Sequence, residues 1–270
     1  MGHPNVLQGR NAFVFGATGA VGAAVAHALV RRGANVYLTG RNTRALAERQ
    51  EILLRDARGV VDVAFLDATH EAAVAAWYGA LAGRGVLPDL VFNATGANAV
   101  QAMYGTRSAE LPAHALLLPL ESLVAAQFIT ARHALPFLRR DGLATIGLLT
   151  SGLARGSMPY MAGITAASDA VQGLARVLAA EWTPLGVHLK CLRLAGIAST
   201  PTLQHTVRAI AQTVGASQKD TAERIFAGNA LTLRQAARGI VAALVDRSLP
   251  RDGSPIDIDG DKPHGHATAA

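Results

Sequence analysis

The amino-acid sequence predicts an α/β protein in which a parallel seven-stranded sheet is doubly wound, with helices on both faces. Two observations lead to this fold class. Short apolar runs alternate along the chain with longer helix-forming segments, as in parallel sheets whose crossovers are helical. The stretch 11–42 shows the first such unit: an apolar run, a turn with three glycines, an Ala-rich segment and a second apolar run.

The glycine turn predicts a nucleotide site. Gly16, Gly19 and Gly22 lie between the predicted strand 12–15 and the predicted helix 23–32. A tight turn needs a residue that tolerates positive φ, and a pyrophosphate reaches backbone N–H groups only where no Cβ intervenes. These features are typical of a Rossmann-type three-layer sandwich. The spacing G-x-x-G-x-x-G departs from the common G-x-G-x-x-G, so a glycine turn without a ligand remains the alternative.

The end of the second strand, 35–39, favours NADP(H) over NAD. An NAD site usually places Asp or Glu there to bind the ribose hydroxyls, but this chain offers Thr39-Gly40-Arg41. A guanidinium matches a phosphate in charge and geometry, so Arg41 is predicted to bind the extra phosphate of NADP(H), with help from Arg44. The alternative for Arg41 is an ordinary surface arginine.

Length and composition narrow the class of protein. The 270 residues are expected to form one domain, 1–270, since half of them are hydrophobic and only 16% are charged. The net charge of +6 comes without an aromatic-interleaved basic patch, so nucleic-acid binding is not expected. The single cysteine, Cys191, excludes an internal disulfide, and no metal site is predicted. We expect a cytoplasmic protein without a membrane partner, because neither a signal peptide nor a membrane-spanning run is visible.

Five further helices and five further strands are expected after the first unit. Asn42 can cap the second helix, Thr69 can cap the third, and Thr232 with Gln235 forms a capping box before the last. The expected helices cover 43–57, 71–81, 121–138, 165–182 and the segment from the capping box to 245; the expected strands cover 60–66, 89–92, 143–149, 187–194 and 255–258. Between them lie a looser segment at 97–118, a loop at 152–159, an insert at 201–228 and a flexible tail at 262–270.

Ligands of doubly wound sheets bind at the carboxyl ends of the strands. The motifs at these ends resemble, in chain order, those of the short-chain dehydrogenase/reductase superfamily over nearly the whole chain. They are FGATGAVG at 15–22, Asp67-Ala68, DLVFNATG at 89–96, LAGIASTP at 194–201 and SPIDIDG at 254–260. The resemblance implies cofactor-binding roles for Gly16, Thr18, Gly19, Val21, Gly22, Arg41, Asp67, Ala68, Asn93, Ala94, Gly96, Gly196, Ile197 and Thr200.

The chain departs from this family at its catalytic positions. The family uses a Ser, a Tyr that transfers the proton, and a Lys four residues after the Tyr. Ser151 stands where the Ser belongs, but alignment of the helix 165–182 puts Ile164 at the Tyr and Ser168 at the Lys. Leu123 falls near the Asn of the preceding helix. Ordinary ketone reduction by the family mechanism is therefore not expected.

Two functions remain open at this point. The first is an NADP(H)-dependent oxidoreductase that reduces a C=C, a C=N or an activated carbonyl of a small apolar molecule, with Ser151 and Tyr160 as catalytic candidates. The second is a non-redox protein on the same fold: a cyclase, an isomerase or a cofactor-binding pseudoenzyme. Fold alone does not decide between them.

The surroundings of the predicted site complete the expectations. Leu123, Ile164, Tyr104 and Tyr160 should line the pocket, and the insert 201–228 should act as a lid. Structural or solvated roles are expected for four titratable side chains, namely Tyr104, His114, His133 and Asp169. The outer faces of the helices 121–138 and 165–182 should be buried in a homodimer or homotetramer.

Overall fold

The computed structural model describes residues 6–152, 158–226, 230–260 and 262–265. Its sheet has eight strands in the order β3-β2-β1-β4-β5-β6-β7-β8, and the first seven strands are parallel. The strands are β1 Asn11–Phe15, β2 Asn35–Gly40, β3 Val61–Phe65, β4 Leu90–Asn93, β5 Thr145–Ser151, β6 His188–Leu194, β7 Asp252–Ile258 and β8 His264–Gly265. The strand order reverses between β1 and β4, and this is where doubly wound sheets open a crevice.

The eighth strand corrects the prediction of a seven-stranded sheet followed by a flexible tail. His264 and Gly265 pair antiparallel with Asp257 and Ile256 of β7. This pairing covers backbone groups that β7 would otherwise present at an open sheet edge. The last five residues of the predicted tail lie outside the described ranges.

Nine helices are found in the described part of the chain. They are α1 Ala20–Val30, α2 Thr43–Leu54, α3 Glu71–Gly83, α4 Ala113–Pro119, α5 Ala125–Ala134, α6 Ala162–Trp182, α7 Pro201–Val214, α8 Gln218–Phe226 and α9 Leu233–Val245. One apolar core joins the sheet to α1, α2 and α9, and a second joins its other face to α3, α5 and α6. The predicted three-layer architecture is therefore confirmed.

The helix caps follow local chemistry closely. The Asn42 side chain accepts a hydrogen bond from Ala45 N, and the capping box of Thr232 and Gln235 is formed, both as predicted. The cap predicted at Thr69 is wrong, because His70 accepts from Ala73 N instead. Thr69 is already engaged: its backbone N–H and its hydroxyl both donate to Asp67 Oδ1, at 2.9 and 2.7 Å.

The long helix predicted over 121–138 begins earlier than expected. The helical run Ala113–Ala134 includes α4, a π-helical turn at Leu120–Val124 and α5. Pro119 ends α4 directly before the π-helical turn; it has no N–H to donate and so disturbs the regular ladder. This run is the one described helix that is long and apolar enough to cross a membrane, yet its Leu123, Ala126 and Ile129 are buried in a core of the protein.

The predicted insert is helical and packs against the segment that follows β4. Its α7 joins a third, smaller apolar cluster through Ile210, which lies with Ala102, Tyr104 and Met161. The Thr213 hydroxyl of α7 donates to Gly105 O at 2.7 Å. The insert therefore covers the segment that follows β4, while its residues 227 and 228 lie outside the described ranges.

Candidate active site

A cleft opens at the carboxyl ends of β1 and β4 and has two parts. The first, here called the polar arm, has a volume of about 290 Å³ and is lined by Gly16, Thr18, Gly19, Gly40, Arg41, Asn42, Leu66, Asp67, Ala68, Ala94, Thr95 and Gly96. The second, here called the apolar chamber, has a volume of about 640 Å³ and extends to the ends of β5 and β6. Thr18, Gly19, Ala94, Thr95 and Gly96 line both parts, so the cleft is continuous.

The glycine turn forms one wall of the polar arm. Gly16 has φ +69°, and a Cβ at this position would lie 2.8 Å from Thr95 N. A Cβ on Gly22 would overlap the carbonyl oxygen of Gly16. Gly19 caps α1 without any side-chain hydrogen bond. The first N–H groups of α1 therefore meet the cleft without a competing side-chain acceptor, which suits a bound anion.

Arg41 lies at the far end of the polar arm. Its side chain is 68% exposed, and its Nη1 lies 3.5 Å from Asp67 Oδ2. Partial burial by itself raises the pKa of Asp67, but hydrogen bonds from Thr69 and the charge of Arg41 outweigh it, so the pKa is lower than usual. The arm thus ends in an accessible cation beside an ionised carboxylate.

Two of the predicted cofactor residues, Asn93 and Gly22, support the cleft without lining it. Asn93 is buried; its Nδ2 donates to Ala126 O and Thr130 Oγ1, both at 2.9 Å, and its Oδ1 accepts from Thr95 N at 2.7 Å. Because these bonds engage both ends of its amide, Asn93 fixes the segment after β4 and does not line the cleft. Gly22 likewise does not line the cleft, but it gives α1 room to approach Gly16.

The end of β6 supplies the opposite wall of the apolar chamber. Thr200 caps α7: its hydroxyl donates to Ile197 O at 2.9 Å and accepts from Leu203 N at 3.4 Å. Gly196, Ile197 and Thr200 all line the chamber, together with Thr202 and Leu203 of α7. The start of the predicted lid is therefore part of the chamber wall.

The predicted reaction centre contains few ionisable groups. Ser151 and Ile164 line the apolar chamber, as does Leu123. Ser168 is fully buried behind β5, where its carbonyl oxygen accepts from Thr150 Oγ1 at 3.0 Å and its hydroxyl accepts from Ser151 N at 3.4 Å. The position aligned with the family's lysine thus supports the strand end and does not reach the chamber.

The two tyrosines near the chamber occupy different places. Tyr104 lines the chamber and is only 5% exposed, and burial raises its pKa far above the usual range. Tyr160, predicted as the replacement acid, does not line the chamber. It packs at the edge of the cluster that includes Tyr104 and Met161, and its carbonyl oxygen accepts from Gly105 N at 2.9 Å. The prediction for Tyr160 rested on sequence spacing alone, whereas its backbone role holds it outside the cleft.

The family model described as enoyl-(acyl carrier protein) reductase matches residues 16–260. This chain belongs to the short-chain dehydrogenase/reductase superfamily. An uncharacterised oxidoreductase of Staphylococcus saprophyticus is 37% identical over 65 residues, which span 24% of this chain and only 28% of the length of that relative.

Solved structures share the fold of this short-chain dehydrogenase/reductase. NAD⁺-bound xylitol dehydrogenase gives a TM-score of 0.83 at 18% identity, covering 94% of this chain and 99% of that one. Levodione reductase gives 0.80 at 20% identity, covering 94% and 97%. An actinorhodin polyketide ketoreductase variant with NADPH gives 0.79 at 20% identity, covering 93% and 96%. At these identities the likeness concerns the fold.

Three titratable side chains for which structural or solvated roles were expected, His133, Asp169 and His114, do not line the cleft. His133 pairs with Glu71 at 2.9 Å, Asp169 accepts from Gln172 at 3.1 Å, and His114 is exposed. Burial raises the pKa of the Cys191 thiol to about 12. Within the described ranges, no group of three or more His, Cys, Asp or Glu side chains could hold a metal ion.

Sequence reasoning missed some lining residues and undervalued one. Gly40, Asn42, Leu66 and Thr95 flank predicted positions along the polar arm, so adjacency to a strand end was the signal available for them. Tyr104 was expected in the pocket but with a structural role only. Its segment follows β4 without a regular hydrophobic period, so the sequence did not show which way it folds.

Proposed function

We propose that the protein is an NADP(H)-dependent oxidoreductase that reduces a C=C, a C=N or an activated carbonyl of a small apolar molecule. One observation carries this proposal: a single cleft joins the glycine turn and Arg41 to an apolar chamber. The family assignment and the oxidoreductase relative support the reaction type. The structural neighbours that hold NADPH and NAD⁺ support a nicotinamide cofactor.

The residues of the cleft fit such a cofactor. A Cβ on Gly16 would clash with the backbone of the segment after β4, so only glycine fits at this position. The N-terminus of α1 has no side-chain cap. In the proposal these groups hold the pyrophosphate, Arg41 holds the extra phosphate, and Thr200 lies at the nicotinamide end. When bound, a nicotinamide supplies or accepts a hydride. The chain itself contributes binding, orientation and exclusion of water.

The lining of the chamber sets the proposed substrate class. Leu123, Met161, Ile164 and Leu203 present apolar surface, and no charged side chain lines the chamber among the described residues. An apolar molecule gains most from burial against such a wall. In the proposal the Ser151 hydroxyl contacts the polar atom of the substrate, because it lies at the end of β5 on the chamber surface.

Cofactor titration with a matched pair of arginine variants tests this function. We expect NADPH to bind more tightly than NADH, and Arg41→Ala to weaken NADPH roughly 10- to 100-fold while leaving NADH nearly unchanged, as for loss of a charge-assisted phosphate contact. Arg44→Ala is the control: Arg44 was expected to help hold the phosphate, but it does not line the polar arm and pairs with Glu48, so its loss should matter much less. Calorimetry of both cofactors measures the effect; equal affinities in the wild type would refute the role of Arg41.

A non-redox function is the second candidate. It is favoured by the apolar side chain of Ile164 in the chamber and by the burial of Ser168 outside it. Nicotinamide absorbance separates the two candidates when NADPH is offered with enones, imines and ketones. Oxidation of NADPH by any of these compounds supports the oxidoreductase; cofactor binding without turnover of any compound supports the second candidate.

We also propose a homodimer or homotetramer formed through the segments 121–138 and 165–182. Phe128 on α5 and Val177 on α6 are large apolar side chains that are 36% and 55% exposed. Burying such side chains between subunits would remove apolar surface from water. Light scattering in solution tests the proposal, and a monomer at high protein concentration would refute it.

A further inference from the structure

Tyr104 lines the apolar chamber, and its hydroxyl has no hydrogen-bond partner among the described residues. It is the one titratable side chain among the described residues that line the apolar chamber. The residue as a whole is 95% removed from solvent. Because the hydroxyl oxygen is not itself fully buried, it is accessible from the chamber that Tyr104 lines, where a phenol O–H is free to donate to a ligand. An unpaired phenol beside a cleft points to an acceptor on a ligand.

The backbone around Tyr104 is held in a strained conformation. Three non-glycine residues have positive φ in the described chain, and two of them, Met103 at +49° and Tyr160 at +69°, belong to this region. Gly105, at φ +101°, joins them: its N–H donates to Tyr160 O and its carbonyl accepts from Thr213 Oγ1. Such strain persists only where surrounding contacts impose it, and it is concentrated at functional sites. The fold therefore fixes the position of Tyr104 from both sides.

Tyr104 also lies next to the residue aligned with the family's catalytic tyrosine. Ile164 packs against the small cluster that contains Tyr104 and Met161, and all three residues line the chamber. A phenol is therefore present on this side of the chamber, supplied by the segment after β4 in place of α6. The sequence alignment showed only that α6 has Ile164 where the family has a tyrosine.

We propose that Tyr104 is the proton donor of the reduction, and that the substrate accordingly carries a carbonyl oxygen, alone or conjugated to a C=C bond. This inference rests on the proposed oxidoreductase function and narrows its substrate class, because a carbonyl oxygen becomes basic when the hydride arrives and needs a proton, whereas the nitrogen of an iminium ion needs none. Ser151, also on the chamber wall, provides a second hydroxyl for the same oxygen.

Reduction of an α,β-unsaturated carbonyl compound would need one hydride at the β-carbon and one proton at the carbonyl oxygen. The β-carbon would gain a hydride from a bound reduced nicotinamide, which would be oxidised; the π electron pair of the C=C bond then forms a double bond between the α-carbon and the carbonyl carbon, and the π electron pair of the C=O bond moves to the oxygen. The O–H bond of Tyr104 breaks and its proton goes to that oxygen. The phenolate then takes a proton from water, and the enol product rearranges to the saturated carbonyl compound. For an unconjugated carbonyl the hydride goes to the carbonyl carbon and the product is an alcohol.

The raised pKa of Tyr104 fits a donor. Burial disfavours the phenolate, so the side chain stays protonated near neutral pH and carries the proton that the reduction needs. No lysine lines the chamber to stabilise the phenolate among the described residues. These properties suit reduction more than oxidation of an alcohol.

A pair of tyrosine variants tests the inference, since Tyr104→Phe and Tyr160→Phe each remove one hydroxyl from the same cluster. The first readout is ¹⁹F NMR of protein that carries 3-fluorotyrosine at its four tyrosines, with the variants assigning the signals. We expect NADP⁺ to shift the Tyr104 signal, and cyclohex-2-enone added to that complex to shift it further, while the Tyr160 signal moves little. NADP⁺ prevents turnover during the measurement.

The possible outcomes separate the inference from the function on which it rests. If NADP⁺ moves no tyrosine signal and does not bind by calorimetry, the proposed function fails. If NADP⁺ binds but the enone leaves the Tyr104 signal in place, the assignment of Tyr104 is overturned and the cofactor site stands. For turnover of cyclohex-2-enone or cyclohexanone with NADPH, we expect Tyr104→Phe to lower kcat about 100-fold and Tyr160→Phe less than about threefold, in line with loss of a general acid. Equal effects of the two variants would also overturn the assignment.

Discussion

At the amino end of the sheet, buried charges find all their partners inside the protein, whereas at the carboxyl end polar groups remain available to a ligand. Asp89 is fully buried and accepts from Arg10 Nη1 at 2.8 Å and from Asn11 N at 2.9 Å. Lys190 is also buried, and its Nζ donates to three carbonyl oxygens, those of Asp246, Leu249 and Pro250. The three Lys190 bonds connect β6 to the chain that follows α9.

At the carboxyl end the same kinds of groups are left open. The α1 N-terminus has no side-chain cap, Arg41 is largely exposed, and the Tyr104 hydroxyl has no partner among the described residues. Leaving polar groups unpaired lowers stability, while a ligand that pairs with them gains affinity. The comparison teaches that the protein itself pairs its polar groups at one end of this sheet and leaves polar groups accessible at the other.

The largest expected effect lies at the amino end. Lys190→Met should lower the free energy of unfolding by about 3 kcal/mol, because three carbonyl oxygens lose the shared donor that the buried Lys190 supplies. Chemical denaturation measures this change. Lys219→Met is the matched control, since Lys219 is exposed, and it should leave stability within about 0.5 kcal/mol of the wild type. A Lys190 variant as stable as the control would show that water replaces the ammonium group without cost.

A smaller effect, on binding more than on stability, is expected at the carboxyl end. Gly16→Ala should weaken NADPH about 100-fold, because the new methyl group would lie 2.8 Å from Thr95 N in a backbone region that favours glycine. Calorimetric titration measures the affinity. Gly79→Ala introduces the same methyl group in α3, where nothing lies within 4 Å, and should leave binding unchanged. Unchanged affinity in Gly16→Ala would contradict the proposed pyrophosphate site.

The smallest effect concerns pH. Burial lowers the pKa of Lys190 from 10.5 to about 8. Between these values the unfolded chain binds more protons than the folded chain, so stability should rise as pH increases from 7.5 to 9.5, by roughly 1 to 2 kcal/mol. Denaturation at several pH values measures the slope, and Lys190→Met should remove it. A slope that persists in the variant would assign it to another group.

Much of the fold followed from local patterns. The seven parallel strands, the cap at Asn42 and the capping box at Thr232 depend on residues close together in the chain, and all were predicted. The start of α4 was missed because it lies in the segment 97–118, which was expected to be irregular; the helix begins after Pro112 and ends at Pro119. β8 was missed because two residues carry no pattern of their own and form a strand only beside β7.

The candidate site divides in the same way. Twelve of the fourteen predicted cofactor residues line the cleft, since strand-end motifs fix where the backbone turns. Asn93 and Gly22 were assigned to the cofactor because a sequence motif does not show whether a residue faces the cleft or the protein interior. From the sequence, Tyr160 was the catalytic candidate and Tyr104 had a structural role, whereas in the structure Tyr104 lines the chamber and Tyr160 does not. Residue spacing near α6 carries no information about where the segment after β4 folds.

The sequence by itself determined the order of strands and helices, the glycine turn and the arginine at the end of β2, because these depend on φ preferences, hydrophobic patterning and local capping. Only the tertiary structure decided which tyrosine lines the chamber, where the buried charges find partners and how the sheet edge is covered. Those outcomes depend on contacts between residues far apart in the chain. Such contacts leave no local pattern, since they form only when the segments pack together.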